Sequence, residues 1–308
     1  MLFSNNALGI EIYQNGLVWV LASGAKSSPV IERYEAVARQ EDILKGSLKD
    51  PNVLDTKALG MAISESYLKL STDTKRVSVS IPDFSGRVMT LEIESLTKNK
   101  EEGSDQVKWK LKKSFPIDPN ELHLDYQIIK EDEEGNATLL VALVSKSVIA
   151  EYEELFLASG LEPAKIDFAT FNIYRLFSPR LEVQEDLALV LHHRGSLCVM
   201  IFQEGKLDFF RSKLIGTAGM DPVRLYREIN SSVLVYSDSK GGWKPQNIFY
   251  YSAIEDRSLF RSVIFEVSGV EPFLLDTDSF INSSRQQIDR SLLPNIMSAL
   301  GAASRGLR

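Results

Sequence analysis

The chain has 308 residues, of which 44% are hydrophobic and 25% are charged, and its formal net charge is −7. This length predicts about two domains with a sizeable core, and the composition argues against a disordered, collagen-like or membrane-embedded chain. The acidic balance argues against a broad nucleic-acid groove, so we expect no nucleic-acid partner. The single cysteine, Cys198, excludes an internal disulfide and a cysteine-based metal cage, and three histidines leave little material for a metal site. We therefore expect no bound metal.

The sequence carries no recognisable targeting or membrane-spanning segment. The N-terminal residues lack a basic region followed by an apolar stretch, and no run approaches the roughly 18 apolar residues that span a bilayer. The longest apolar stretch, at 137–145, has the length of a buried strand. We expect a cytoplasmic protein that reaches a membrane through a partner.

The first half of the chain predicts alternating strands and helices. Residues 8–22 form a strand, a turn at Gln14-Asn15-Gly16 and a returning strand. A strand at 30–38, a capped helix at 55–70 and a strand at 76–82 follow. The next predicted elements are a strand at 86–93, a polar loop at 97–104, a basic helix at 105–114, and a hairpin of strands at 122–129 and 137–144. A helix at 147–159, a strand at 165–168 and a helix at 169–177 follow, and Pro179 ends this half of the chain.

The second half opens in the same way as the first. Strands at 187–191 and 197–202 flank a turn and precede a strand at 207–214, a helix at 221–237, a strand at 247–251, a helix at 258–268, a strand at 273–275 and a closing helix at 294–306. The phrase Ser-Gly-Leu-Glu-Pro-x-x-Ile-Asp at 159–167 returns as Ser-Gly-Val-Glu-Pro-x-x-Leu-Asp at 268–276. We interpret these echoes as a duplicated α/β unit; the alternative is chance recurrence of a common helix-capping phrase.

Two lobes that each open with a hairpin are the plan of the actin-like ATPase fold, and short motifs narrow the resemblance. In chain order, they are Leu8-Gly9-Ile10-Glu11-Ile12, Ile81-Pro82-Asp83, the segment from Trp109 to Leu124 with Asp125-Tyr126-Gln127, Gly160-Leu161-Glu162-Pro163 with Ile166-Asp167, and Ala299-Leu300-Gly301-Ala302-Ala303 with Arg305. Their order and spacing resemble the PilM family, the actin-like proteins of type IV pilus assembly.

This resemblance implies an α/β architecture, the actin-like ATPase (ribonuclease H-like) fold in its FtsA-like form, with two related lobes. The first lobe would cover 1–180 and carry a small α+β subdomain inserted at about 84–145. The second lobe would cover 181–308, with a closing helix at about 294–306 that packs back on the first lobe.

The same resemblance implies a function in the assembly of a type IV pilus or a related secretion system. PilM-like proteins bind the short cytoplasmic tail of the inner-membrane protein PilN, which would place this chain at the cytoplasmic side of the inner membrane; pilus motor ATPases are a further partner class. Many members bind ATP. The cytoplasmic part of the type II secretion protein GspL is a structural cousin, and a protein of that kind would need a membrane span after Arg308.

The first hairpin departs from the Asp-x-Gly phosphate turn of actin-like ATPases. In that turn the acid helps to place Mg²⁺, and the glycine lets backbone N–H groups approach a phosphate. Here Glu11 holds the acid position and Tyr13 the glycine position, while Gly16 gives a displaced tight turn. Val18 stands where a lysine or another polar residue is usual.

The second hairpin, and the segment that would face the adenine of a nucleotide, also depart from the pattern of actin-like ATPases. The turn His193-Arg194-Gly195-Ser196 contains no carboxylate. Arg194 and a protonated His193 could attract an anion; the alternative is an ordinary solvent-facing turn. Tyr250-Tyr251-Ser252-Ala253 stands where the family carries Gly-Gly, and side chains there would crowd a base or ribose.

The turns of both hairpins and the adenine segment all depart from the family's pattern. We therefore predict a degenerate nucleotide site with no catalytic residue. Its remnant cofactor-binding residues would be Glu11, Tyr13, Gly16, His193, Arg194, Gly195 and Ser196. We therefore expect a non-catalytic scaffold without a cofactor. The alternatives are an active actin-like ATPase that holds ATP and Mg²⁺ through altered loops, and a GspL-like secretion domain.

The predicted basic helix carries four lysines around Trp109 and Leu111. In one interpretation Trp109 packs inward beneath a solvated lysine face; in the other the helix binds an acidic or amphipathic segment, or anionic lipid headgroups. In the PilM family this helix belongs to the inserted subdomain, next to the groove that takes the partner's tail. On that basis we expect a partner site lined by Pro82, Phe84, Trp109 and Phe115, where an extended peptide would add main-chain hydrogen bonds.

Two acidic groups and the cysteine complete the candidates. The acidic run at 131–134 has the charge for a cation, but the following Gly135-Asn136 favours a solvated hairpin turn. Asp276 and Asp278 could pair as an acid and a base, but their neighbours favour a loop. Cys198 lies in mid-strand, as a small core residue does.

Overall fold

The computed structural model describes residues 6–113, 115–216, 221–239, 245–254, 256–281 and 287–308, which form three sheets and eight α-helices. The chain begins with a three-stranded antiparallel meander, a helix and a fourth strand that runs parallel to the first. These elements are β1 (Ala7–Tyr13), β2 (Gly16–Ala25), β3 (Ser28–Ala38), α1 (Thr56–Lys69) and β4 (Arg76–Ile81). The side chain of Asp55 caps α1 by accepting from the N–H of Ala58 (2.8 Å).

An inserted subdomain follows β4. It contains β5 (Gly86–Ile93), α2 (Lys100–Leu111), β6 (Leu122–Glu131) and β7 (Ala137–Ser145), and its antiparallel sheet has the order β5-β7-β6. Val107 and Leu111 of α2 are fully buried against this sheet. Because Trp109 lies on the opposite face of the helix, it is 62% exposed, and the interpretation in which Trp109 packs inward is wrong.

The chain then returns to the first sheet through α3 (Lys146–Ala158), β8 (Glu162–Phe168) and α4 (Ala169–Leu181). The completed sheet, which defines the first lobe, has the order β3-β2-β1-β4-β8. The second lobe has the same order, β11-β10-β9-β12-β13, with the same parallel and antiparallel pairs. Its elements are β9 (Leu187–His193), β10 (Ser196–Gln203), β11 (Lys206–Leu214), α5 (Pro222–Ser239), β12 (Ile248–Ser252), α6 (Arg257–Ser268), β13 (Phe273–Leu274), α7 (Asp278–Ile281) and α8 (Leu293–Ser304).

The repeated sequence phrase occupies the same place in both lobes. Gly160 follows α3 and Gly269 follows α6, and both adopt φ +71°, the left-handed conformation with which many helices end. An edge strand comes next in each case. The matching sheet order and helix ends support duplication over chance recurrence of the phrase.

Successive side chains along the strands face two different cores, one on each side of the sheet. In β1, Leu8, Ile10 and Ile12 face the outer core beneath α1 and α3, whereas Glu11 and Tyr13 face the second lobe. Helices α4 and α8 lie between the two sheets and fill the core that the lobes share. In this core α8 approaches other backbones closely, because a Cβ on Gly301 would lie 1.9 Å from the carbonyl oxygen of Asn172 in α4.

Two predicted element boundaries are wrong. The segment 97–104 is not a loop throughout, since α2 begins at Lys100. The side chain of Asn99 caps this helix by accepting from the N–H of Glu101 (2.9 Å). The helix predicted at 169–177 continues through Pro179 to Leu181 as α4. A proline at this position leaves the carbonyl of Arg175 without its helical donor, and the hydroxyl of Ser178 donates to that oxygen instead (3.2 Å).

Candidate functional site

The first hairpins of the two lobes bring their turns together at the interface between the lobes. In the first turn, Tyr13 pairs with Gly16. In the second, His193 pairs with Ser196, and the intervening Arg194 and Gly195 have φ values of +49° and +81°. Two central residues with positive φ define a tight turn that suits a hairpin.

A buried ion pair joins the two lobes at these turns. His193 Nε2 and Glu11 Oε1 lie 2.5 Å apart, and each side chain is 1% exposed. Burial acts to raise the pKa of Glu11, but the charge and hydrogen bond of His193, together with the charge of Arg194, hold that pKa below its ordinary value. The prediction of a solvent-facing second turn is therefore wrong. The carboxylate at the expected magnesium position has a protein side chain as its partner.

A second contact between the lobes covers the first turn. The guanidinium carbon of Arg194 lies 3.6 Å from the ring centre of Tyr13, in the geometry of a cation–π contact. The phenol of Tyr13 folds back over the turn, and a Cβ on Gly16 would lie 2.5 Å from its hydroxyl oxygen. The tyrosine ring and the guanidinium therefore cover the turn of the first hairpin.

Two further positions at which the sequence departs from the family's nucleotide site lie in the protein interior. Val18 is 2% exposed and belongs to the core shared by the lobes. Tyr251 is also buried there, and its hydroxyl donates to the carbonyl oxygen of Pro294 at the start of α8. Within the part of the chain that the structure describes, no group of three or more His, Cys, Asp or Glu side chains could hold a metal ion.

A cavity of about 430 Å³, the cleft cavity, lies beside the paired turns. Arg194 and Arg224 supply positive charge to its wall, and Asp42 and Asp221 supply negative charge. His192 also lines it, and its Nδ1 is buried without a hydrogen-bond partner among the described residues. Burial and the neighbouring charge of His193 lower the pKa of His192 to about 4, so this imidazole is neutral at pH 7.

A second cavity of about 400 Å³, the edge groove, lies between the inserted subdomain and the second lobe. Residues 86–90 of β5 and 210–214 of β11 form its two sides, and each of these strands is at the edge of its sheet. Phe84, Phe171 and Phe210 supply aromatic surface, and the last two rings stack with their centres 5.6 Å apart. The groove thus combines two unpaired strand edges with an apolar wall.

The four predicted partner residues lie in different places. Pro82 and Phe84 line the cleft cavity, and Phe84 also lines the edge groove. Phe115 is half-buried against the core of the inserted subdomain, and Trp109 is on the outer face of α2. Neither Trp109 nor Phe115 is among the described residues that line the two cavities.

Asp83, to which the sequence analysis assigns no role, is half-buried and lines the edge groove. Its carboxylate accepts from the N–H (3.2 Å) and the hydroxyl (2.6 Å) of Thr170 in α4. Burial raises its pKa above the ordinary value, against the effect of these two bonds. The only indication in the local sequence is that Asp83 directly follows Ile81-Pro82, at the end of a strand. Its partner is 87 residues away along the chain.

The remaining sequence candidates have structural roles. Asp132 accepts from the N–H groups of Glu134 (2.9 Å) and Asn136 (2.8 Å), as expected of a hairpin turn. Cys198 is fully buried, and burial raises the pKa of its thiol. Asp276 precedes α7 and accepts from the N–H of Asp278 (3.1 Å).

Comparison with solved structures assigns the chain to the actin-like ATPase fold, which confirms the predicted fold class. A Bacteroides thetaiotaomicron protein of that fold and of unknown function has a TM-score of 0.50 and 12% identity, over 88% of this chain and 91% of that one. No protein-family model and no curated protein matches the sequence.

Within this fold, the chain is similar to PilM over almost its whole length. A PilM–PilN type IV pilus biogenesis complex gives a TM-score of 0.81 at 18% identity, over 98% of each chain, so the predicted resemblance is confirmed for the fold. The cytoplasmic domain of EpsL, an inner-membrane component of the type II secretion system of Vibrio cholerae, gives 0.53 at 11% identity, over 95% of this chain and 94% of that one. None of the described helices has the length and apolar character needed to cross a membrane.

Proposed function

We propose that this protein is a PilM-like, non-catalytic scaffold at the cytoplasmic side of the inner membrane, where it binds the cytoplasmic tail of a PilN-like partner in a type IV pilus or related secretion assembly. Similarity to the solved PilM–PilN complex supports the pilus setting. The observation that carries the non-catalytic role is the buried Glu11–His193 pair, since it engages the acid that an actin-like ATPase would offer to Mg²⁺.

Nucleotide binding at the paired turns would have to break contacts between the lobes. Mg²⁺ would take Glu11 from His193, and a phosphate would displace the ring of Tyr13 from Arg194. Separating one partner from a buried pair costs about 3–5 kcal/mol. A penalty of about 4 kcal/mol converts micromolar binding into millimolar binding.

Thermal unfolding with and without Mg-ATP tests the non-catalytic role. A ligand present at 100 times its dissociation constant stabilises a protein by about 2.7 kcal/mol. We expect no rise in the melting temperature at 0.1 mM Mg-ATP, a concentration about 100 times a micromolar dissociation constant but about a tenth of a millimolar one. A rise of several degrees that requires Mg²⁺ would contradict the proposal.

The edge groove is the site that we propose for the partner's tail. An extended peptide can add a strand to an exposed sheet edge, with main-chain hydrogen bonds providing affinity and side-chain pockets providing specificity. The groove offers edge strands β5 and β11 and the aromatic side chains of Phe84, Phe171 and Phe210. Arg87 and Lys213 add positive charge to the wall.

Pull-down from membranes, followed by peptide binding, tests this site. The protein should recover an inner-membrane protein with a short cytoplasmic tail, and a synthetic peptide of that tail should slow amide exchange in 84–93 and 206–214. Phe84→Ala should weaken the peptide at least tenfold, because interface aromatics often contribute more than about 1.4 kcal/mol. Trp109→Ala is the matched control and should change affinity less than twofold. If Trp109→Ala weakened the peptide more than Phe84→Ala, the binding site would instead lie on the outer face of α2.

The second candidate function is ATP binding within the same assembly, and the cleft cavity favours this function. Its volume of about 430 Å³ and the guanidinium groups of Arg194 and Arg224 would suit an anionic ligand. The Mg-ATP experiment separates the two functions, and pull-down with pilus motor ATPases tests the further partner class. A GspL-like role, which the EpsL similarity favours, predicts recovery of type II secretion proteins instead.

A further inference from the structure

A group of basic side chains surrounds edge strand β8 of the first lobe and extends to the end of the sheet that lies opposite the cleft. Strands β1, β4 and β8 begin at this end, and the hairpin between β2 and β3 turns there. The chain beyond α8 also reaches it, since the N–H of Lys26 donates to the carbonyl of Arg308 (3.3 Å). The six basic residues that define this basic end are Lys26, Arg76, Lys165, Arg175, Arg305 and Arg308.

The carboxylates that pair with the basic end leave several of its charges uncompensated. Asp167 accepts from Arg305 (2.5 Å) and Arg175 (3.4 Å), and Glu162 Oε1 lies 3.5 Å from Arg76 Nε. Among the residues that the structure describes, no carboxylate forms an ion pair with the remaining three cations, which are Lys26, Lys165 and Arg308.

Lys165 indicates how strongly these charges repel one another. Its ammonium group donates to the carbonyl oxygen of Arg305 (2.8 Å). Partial burial, followed by the charges of Arg305, Lys26, Arg175 and Arg76, lowers its pKa. An anion placed here would relieve that repulsion.

We infer that the basic end binds the anionic headgroups of a phospholipid bilayer. Four to eight clustered Lys and Arg side chains are typical of surfaces that recognise such headgroups. Because the whole chain has a net charge of −7, an anionic bilayer would repel most of its surface and attract this end. The cations come from several strands, helices and connecting segments, and none of the six lines the cleft cavity or the edge groove. That distribution favours a charged surface over a pocket for one peptide side chain.

This inference goes beyond the proposed function, because it requires no partner protein and no pilus. Co-sedimentation of the full chain with vesicles of 30% phosphatidylglycerol in phosphatidylcholine is the direct test. Each basic side chain near such a surface contributes about fivefold to the partition constant. The variant K26Q/K165Q/R308Q should therefore bind about 100-fold more weakly than the unmodified chain. Binding should also weaken in 0.5 M salt and be absent with pure phosphatidylcholine.

The matched control is K110Q/K112Q/K113Q on and just after α2, which removes the same charge from a segment that also carries Glu101, Glu102 and Asp105. Its binding should stay within threefold of the unmodified chain. Because Lys165 forms a structural bond, K26Q/R308Q serves as a milder variant with an expected loss of about 25-fold. Absence of binding to anionic vesicles, or equal losses in the two triple variants, would overturn the inference. Binding of a polyglutamate peptide without vesicle binding would also overturn it in favour of an acidic protein segment.

Discussion

At the residue scale, Glu11 and His193 form a buried pair that joins the two lobes. Each side chain is 1% exposed, so neither can recover its charge solvation from water if the other is lost. Replacing a buried pair with apolar residues of similar size is often neutral, whereas removing one partner is costly. The pair therefore fixes how the two side chains meet, even where its net contribution to stability is small.

This asymmetry makes a testable prediction for the pair. Glu11→Met and His193→Leu should each lower the free energy of unfolding by about 3–5 kcal/mol, because each leaves a buried polar partner. The double variant should be within about 1 kcal/mol of the unmodified protein. Urea denaturation of the four proteins gives the coupling energy through a double-mutant cycle. Additive losses in the double variant would indicate that the two residues act independently.

His192 gives a second prediction, on pH dependence. Its pKa is about 4 in the folded protein and about 6.5 when exposed, so the unfolded state takes up the proton first as the pH falls. Its contribution to stability is therefore complete above about pH 6.5 and is lost progressively toward pH 4.

Between pH 7 and 4.5 the unmodified protein should lose about 2.5 kcal/mol more unfolding free energy than His192→Phe. Denaturant titrations of both proteins across this range measure the difference. Asp83, whose pKa is raised, acts in the opposite direction in both proteins and cancels. Parallel pH profiles would show that His192 titrates normally in the folded state.

At the element scale, local patterns predicted most strands and helices, and the errors have physical causes. Alternation predicted β1, whereas continuous apolar runs predicted β7 and β9; β1 and β9 are buried along their whole length. The polar sequence at 97–104 concealed the first turn of α2, since a capped first turn favours acidic residues as strongly as a loop does. The pairing of Glu11 with His193 was not predictable, because it joins residues 182 positions apart on different sheets.

The closing helix α8 depends on two glycines that allow direct backbone contact. A Cβ on Gly9 of β1 would lie 2.2 Å from the carbonyl oxygen of Ala299, and one on Gly301 would lie 1.9 Å from that of Asn172. Gly301→Ala should therefore destabilise the protein by about 1–3 kcal/mol, although alanine is the better helix former.

Gly60→Ala in α1 is the matched control for this prediction. The nearest atom to its added Cβ is Leu155 Cδ2 at 3.8 Å, so the variant should be stabilised by up to about 1 kcal/mol. Thermal and urea unfolding of both variants check the contrast. Equal shifts in the two would argue that helix propensity, rather than the contact between α8 and α4, decides the outcome.

At the scale of the whole molecule, two charged pairs are among the side-chain contacts that tie the parts of the chain together. Glu11–His193 joins the lobes in their shared core, and Lys130 of β6 pairs with Asp208 of β11 across the interface of the inserted subdomain. The side chain of Asp208 is 4% exposed and also accepts from the hydroxyl of Tyr236 (2.5 Å). Direct side-chain contacts therefore link the two lobes to each other and the inserted subdomain to the second lobe.

The pair between Lys130 and Asp208 therefore predicts how the inserted subdomain is held. Lys130→Ala should leave Asp208 bonded to Tyr236, so the second lobe stays folded, while the contact between β6 and β11 loosens. Amide exchange should accelerate in 122–131 and 206–214 together, since exchange reports local opening. Lys100→Ala is the control, because its pair with Asp125 is exposed and lies wholly within the subdomain. Faster exchange in 122–131 alone would mean that the subdomain is held by its apolar contacts and that this ion pair is incidental.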